Sequence, residues 1–305
     1  MISFRYHLVS IIAVFLALAV GIVVGTTALN GPVTTDLRHQ VNSLKGDRST
    51  LSNQVKALQG QVDDAGQFAS TFGSQLVAGK LKDKSVLIVG LPGVASGMED
   101  GIAAQISAAG AQITGRLNLA HDYVAQSEAS KITSLVTQNG LQPIGLTLTQ
   151  TSDARVLGAE TLAWVLSGKG QDSDVKTVLS AFANLHMLAS DASGVEPASS
   201  VVVVGSGTIA KGDYAADAGL DLVTALQADG GKVVVAGDTG SATGSGLVAL
   251  VRAGSAKSSV STVDNADTAF GQVSTVLALA DAENAQIGHY GTTPGADALF
   301  PSPNS

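Results

Sequence analysis

The first hydrophobic run, Leu8–Leu29, carries no charged side chain, and its only polar groups are Ser10, Thr26 and Thr27. As a helix rising about 1.5 Å per residue, it crosses a hydrocarbon layer of about 30 Å. A secretory signal core is shorter, about 7–15 residues. The run is therefore expected to stay as an anchor. The alternative is cleavage at Thr26-Thr27-Ala28, a weak small-residue site. Arg5 and His7 precede the run without an acidic residue, whereas Asp36 and Arg38 cancel after it. The positive-inside tendency then predicts a cytoplasmic segment 1–7, a transmembrane helix 8–29 and export of everything beyond.

Past the anchor the period changes. Leu37, Val41, Leu44, Arg48, Leu51, Val55, Leu58 and Val62 alternate in spacings of four and three, an unbroken heptad seam. With leucine at d and valine at a, this pattern favours a parallel two-stranded coiled coil, and Arg48 at an a position can fix register. A stem over 34–78 is expected, with Ala65, Ala69, Phe72 and Leu76 continuing the seam. The competing reading is one amphipathic helix lying on its own domain. Gly21 and Gly25 sit one turn apart inside the anchor, and such a pair lets a second helix approach closely. A parallel homodimer would bring both features into register.

From Lys84 the chain alternates short apolar runs with helical stretches. Strands are predicted at Lys84–Gly90, Ala111–Asn118, Ser200–Gly205, Lys232–Ala236 and, more weakly, Ser258–Val263. Helices are predicted near Gly97–Ala109, Ser127–Gln138, Asp153–Leu166, Ser173–Ser190, Tyr214–Ala228, Leu247–Ala253 and Asp267–Ala282. Strands fed by helices imply a mainly parallel sheet covered on both faces. The expected class is α/β, with a Rossmann- or flavodoxin-like domain over 84–290 interrupted by a helical insertion at about 127–195. The segment 291–305 has glycine, proline and serine without periodicity and is expected to be a flexible tail.

Composition narrows the function. The formal charge is −8, from 17 basic against 25 acidic residues, and no long basic run exists to bind nucleic acid phosphates. Cysteine is absent, which removes disulfides, thiolate metal sites and thiol nucleophiles. Gly205-Ser206-Gly207-Thr208-Ile209-Ala210 matches G-x-G-x-x-A, with Asp238 ending the next strand. In a dinucleotide site those glycines would admit a pyrophosphate. Helical sequence begins late, however, and Asp238 lies too far on, so an ordinary strand-to-helix turn is expected. His186 beside Met187 could be part of a soft metal site, but a helix surface and core account for both. His121 with Asp122 reads as a solvated loop pair. No catalytic constellation or cofactor site emerges, so an enzyme is not expected, and any metal site stays undefined.

Two ends of the chain resemble one family. Met1-Ile-Ser-Phe-Arg-Tyr-His-Leu-Val-Ser through Gly25 is similar to the start of the actinobacterial MctB proteins. So is the C-terminal set of Ser261-Thr-Val-Asp264, Val276-Leu-Ala-Leu279 and Gly288-His289-Tyr290-Gly291. The resemblance implies a part in copper transport, as a channel protein of the outer membrane keeping cellular copper low. It also implies, through a related member, an alternative as a non-enzymatic scaffold in cell separation that helps activate a peptidoglycan hydrolase. Copper as cargo and an envelope protein as partner follow from the resemblance only. Asp264, Gly288, His289, Tyr290 and Gly291 are its candidate functional patch; a C-terminal turn packed on the sheet is the simpler account of that patch. A channel barrel needs many strands of about 10 alternating residues, and this chain offers one apolar helix instead. The residues thus point to a cell-membrane protein with a single crossing.

Overall fold

The computed structural model describes residues 4–138, 141–143, 145–189, 192–210 and 212–302, with side chains described except for 27–34 and 138. The chain divides into two compact units, Met1–Asp64 and Ala65–Ser305.

The first unit is helical. It belongs to α1 (Phe4–Val77), which begins in this unit and ends in the second. Phe4–Thr26 is long and apolar enough to cross a membrane, starting four residues before the predicted span. The seam residues Leu37, Val41, Leu44, Leu51, Val55, Leu58 and Val62 are all exposed, as is Arg48.

The second unit is an α/β domain. Its strands are β1 (Ser85–Gly90), β2 (Gln112–Asn118), β3 (Ser200–Gly205), β4 (Lys232–Gly237), β5 (Ser261–Val263) and β6 (His289–Tyr290). They form one parallel sheet in the order β2-β1-β3-β4-β5-β6. This is the flavodoxin-like doubly wound order with one strand added. The helices are α2 (Ser96–Ala108), α3 (Ala129–Gln138), α4 (Ala154–Leu166), α5 (Asp172–Asn184), α6 (Tyr214–Ala228), α7 (Leu247–Ala253) and α8 (Ala269–Glu283). The predicted insertion between β2 and β3 is α3 to α5.

Valine runs form the central strands because both faces are covered. Successive side chains point to opposite sides of a strand. Leu87 and Val89, Val201 and Val203, and Val233 and Val235 enter a core shared with α4, α5, α6 and α7. Val86 and Ile88, Val202 and Val204, and Val234 and Ala236 enter a second core with α2, α8 and Val77. An apolar residue is therefore needed at every strand position, not every second one.

Several expectations change. In the last turns of α1, Ala69, Gly73 and Val77 are buried, while Phe72 and Leu76 are exposed. The docked face thus shares Ala69 with the continued heptad seam and then follows Gly73 and Val77 instead of Phe72 and Leu76. It uses small residues so that helix α8 can come close: a Cβ on Gly73 would lie 2.5 Å from Val273 Cγ2. The helix predicted at Ser173–Ser190 stops at Asn184, with His186 in the left-handed region at φ 58°; Ser190 lies outside the described residues. Strand β5 begins three residues later than predicted, after a 3-10 turn at Ser255–Ser258. The segment from Gly291 is not a free tail as far as it is described. Gly291 N–H donates to Ala298 O at 3.0 Å, and Pro301 is buried. Residues 303–305 lie outside the described residues.

Candidate functional site

In a doubly wound sheet, ligands collect where the strand order reverses, beyond the carboxyl ends of the strands. Here that point falls between β1 and β3. A crevice of about 310 Å³ lies there, with Leu91, Val124 and Leu247 among its lining and His121, Thr208 and Asp213 as polar members. The Gly205–Ala210 motif forms part of its wall. The place where a phosphate would sit is taken by a carboxylate of the chain. Ser206 Oγ donates to Asp238 Oδ2 at 2.7 Å, and Gly207 N–H and Ser241 N–H donate to Oδ1 at 2.9 and 2.8 Å. Burial raises the Asp238 pKa, but these donors outweigh it and hold the group below the usual carboxylate range. A fixed negative charge in that cradle repels pyrophosphate. Helix α6 starts only at Tyr214, capped by Asp213, so the motif is a strand-to-helix turn.

The structure brings the second candidate patch together at the sheet edge. Asp264 follows β5; His289 and Tyr290 are β6, which pairs with β5 through Thr262 and Val263. A strand of two residues shows no period in the sequence, where the simpler expectation is a C-terminal turn packed on the sheet. Asp264 is fully buried and faces Arg252 of α7, with Nη1 2.8 Å from Oδ2. Arg252 also donates to Thr262 Oγ1 at 2.9 Å, Thr293 Oγ1 at 3.1 Å and Tyr290 O at 2.9 Å. Thr292 N–H and Thr293 N–H donate to Asp264 at 2.7 and 3.2 Å. Gly291 has φ 133°, and a Cβ there would meet Asp264 Oδ1 at 2.0 Å, so only glycine fits. At Gly288 a Cβ would meet the Tyr290 hydroxyl at 2.2 Å. His289 Nδ1 lies 3.0 Å from Thr262 Oγ1. Burial pushes the imidazole pKa down, against the raising influence of Asp297. The five residues therefore build a clasp that ties the C-terminal segment to the sheet. Sequence reasoning missed Arg252, although it is the one charge in the apolar helix Leu247–Ala253.

The other candidates stay apart. His186 is exposed and Met187 is buried, so they do not share a site. Among the described residues, no three His, Cys, Asp or Glu side chains stand as a group able to hold a metal ion. A Cβ on Gly21 or Gly25 would meet nothing within 4 Å.

These features define an α/β protein with a six-stranded parallel sheet, carrying an N-terminal apolar helix of the kind found in single-pass membrane proteins. The family model for "Copper transport outer membrane protein, MctB" matches residues 1–301. The chain belongs to the MctB family. Proteins named "Copper transporter MctB" from Mycobacterium tuberculosis (strain H37Rv) and Mycobacterium bovis are each 30% identical over 311 residues, covering 97% of this chain and 98% of theirs. One of the same name from Mycobacterium leprae is 29% identical over 338 residues, covering 98% and 99%.

Proposed function

We propose that this chain is a membrane-anchored envelope protein of copper homeostasis, with copper as its cargo. The observation that carries the reading is the end-to-end family match, which includes the apolar helix, together with the copper-transporter names of relatives at 30% identity. Residues 1–7 are cytoplasmic, 8–29 cross the membrane, 34–78 form a stem and 84–290 are the exported domain. Arg5 and His7 ahead of the span support that direction.

The membrane contact is the helix and not a barrel. The sheet is parallel and buried on both faces, whereas a membrane barrel is antiparallel and turns one face to lipid. One helix cannot enclose an aqueous path, and copper(I) favours thiolate and thioether ligands in a chain with no cysteine and 3 methionines. Copper handling therefore belongs to an assembly: a parallel homodimer joined through Gly21 and Gly25 and the heptad seam, working with an envelope protein partner. No enzymatic step is assigned to the chain.

Deleting the gene should sensitise cells to added copper, with tolerance restored by the full chain. A deletion strain with normal copper tolerance but chained, unseparated cells would overturn the copper reading in favour of a cell-separation scaffold.

A further inference from the structure

His289 stands directly opposite Thr262 in the pairing of β6 with β5, and it is buried. Its neighbours fix which ring nitrogen carries hydrogen. Arg252 Nε–H donates to Thr262 Oγ1 at 2.9 Å, and an arginine can only donate. The threonine oxygen therefore accepts there and has its own hydrogen to give to His289 Nδ1, 3.0 Å away. The ring also donates to the Lys257 carbonyl, which can only accept. An imidazole that accepts at Nδ1 and donates at Nε2 is neutral.

A charged ring does not fit the same place. Its Nδ1–H would turn on a Thr262 oxygen that already faces Arg252 Nε–H. The nearby carboxylates are occupied. Asp264 holds Arg252 and the Thr292 and Thr293 amides, and Asp297 Oδ2 takes the His289 backbone N–H at 3.0 Å. Burial lowers the imidazole pKa most, and Arg252 and Lys257 act the same way, against Asp297 and the Lys257 carbonyl.

We propose that His289 is an acid-operated latch: as a neutral ring it fastens β6 and the segment behind it to the sheet, and taking up a proton releases them. The strands are joined by Thr262 N–H to Gly288 O and by Asp264 N–H to Tyr290 O, each 3.1 Å. Asp297 N–H to His289 O and Gly291 N–H to Ala298 O tie down the segment. Opening frees the outer edge of β5, and a bare edge is a template for a partner's strand. In the opened state His289 meets water and titrates near its ordinary value of 6.5. The buried ring takes a proton only at lower pH. Closure is therefore favoured above about 6.5 and loses that advantage as pH falls toward the buried value. Within that window the opening constant rises about tenfold per pH unit. The inference does not depend on the copper reading.

Amide hydrogen exchange of the full-length protein in dodecyl maltoside reads the latch at about pH 7.5 and about pH 5.5, each rate divided by that of an unstructured peptide at the same pH. Protection over residues 286–298 should fall by up to about tenfold at the lower pH, with β1 and β3 unchanged. His289→Gln can accept and donate like the neutral ring but takes no proton, so its protection should be the same at both. Nitrogen-15 histidine spectra of the wild type read the ring itself and decide the matter should the variant misfold. They should show His289 with Nδ1 unprotonated at about pH 7 and charged only below about 6.5. Equal protection at both pH values in wild type, an equal fall in His289→Gln, or a His289 ring protonated at Nδ1 at about pH 7 would overturn the proposal.

Discussion

Asp264 carries a charge in a place with no access to water, and it is tolerated only because Arg252 and the Thr292–Thr293 backbone surround it. Removing one partner of such a pair leaves the other buried and uncompensated, at a cost of about 3–5 kcal/mol. Asp264→Ala should therefore lower the unfolding free energy by that amount, read as a lower midpoint in urea for the full-length protein. It should also release the segment beyond Gly291, read as new protease cleavage between Gly291 and Ser302. Asp264→Asn keeps an accepting oxygen where Oδ2 receives Arg252 Nη1 and Thr293 N–H, although it sets an NH2 against Thr292 N–H, and should cost less than alanine. An Asp264→Ala protein as stable and protease-resistant as wild type would show that the clasp does not hold the segment. Asp264, His289 and Tyr290 were legible through family resemblance, whereas Arg252 and Thr293 were not, because their roles depend on contacts across dozens of residues.

Among elements, strands of the sheet centre were the most legible, since a run such as Val201–Val204 has few other uses. Strand β6 was illegible: two residues between Gly288 and Gly291 give no period to read. The docked face of α1 escaped for a different reason. Gly73 adds no hydrophobic signal, while Phe72 and Leu76, which are exposed, draw the pattern from Ala69 along the heptad seam. The proposed stem carries a prediction. Gly46 and Gly60 each lower helix stability by about 1 kcal/mol relative to alanine, and a Cβ at either position meets nothing within 4 Å. Gly46→Ala with Gly60→Ala should raise the thermal stability of the stem, followed by circular dichroism. A cysteine introduced as Leu51→Cys should crosslink two chains under oxidation. Absence of the crosslink in membranes where the protein is abundant would remove the parallel dimer.

For the whole molecule, the α/β class was readable but the strand order was not. A fully buried parallel strand shows the same apolar run whichever strands flank it, so β1 between β2 and β3 looks no different from β4 between β3 and β5. The assembly poses the larger question. The heptad seam and the apolar helix are both exposed in one chain, and they are the surfaces through which the proposed homodimer would form. Inside lipid there is little hydrophobic force between helices, and close packing at small residues takes its place. Gly21→Leu with Gly25→Leu would keep the segment apolar and membrane-inserted while pushing a neighbouring helix away. A deletion strain complemented with this variant should stay copper-sensitive, although the protein reaches the membrane in normal amount and its domain remains folded. Full restoration of tolerance would mean that the helix acts as a tether alone and that copper handling rests on the stem, the domain or a partner.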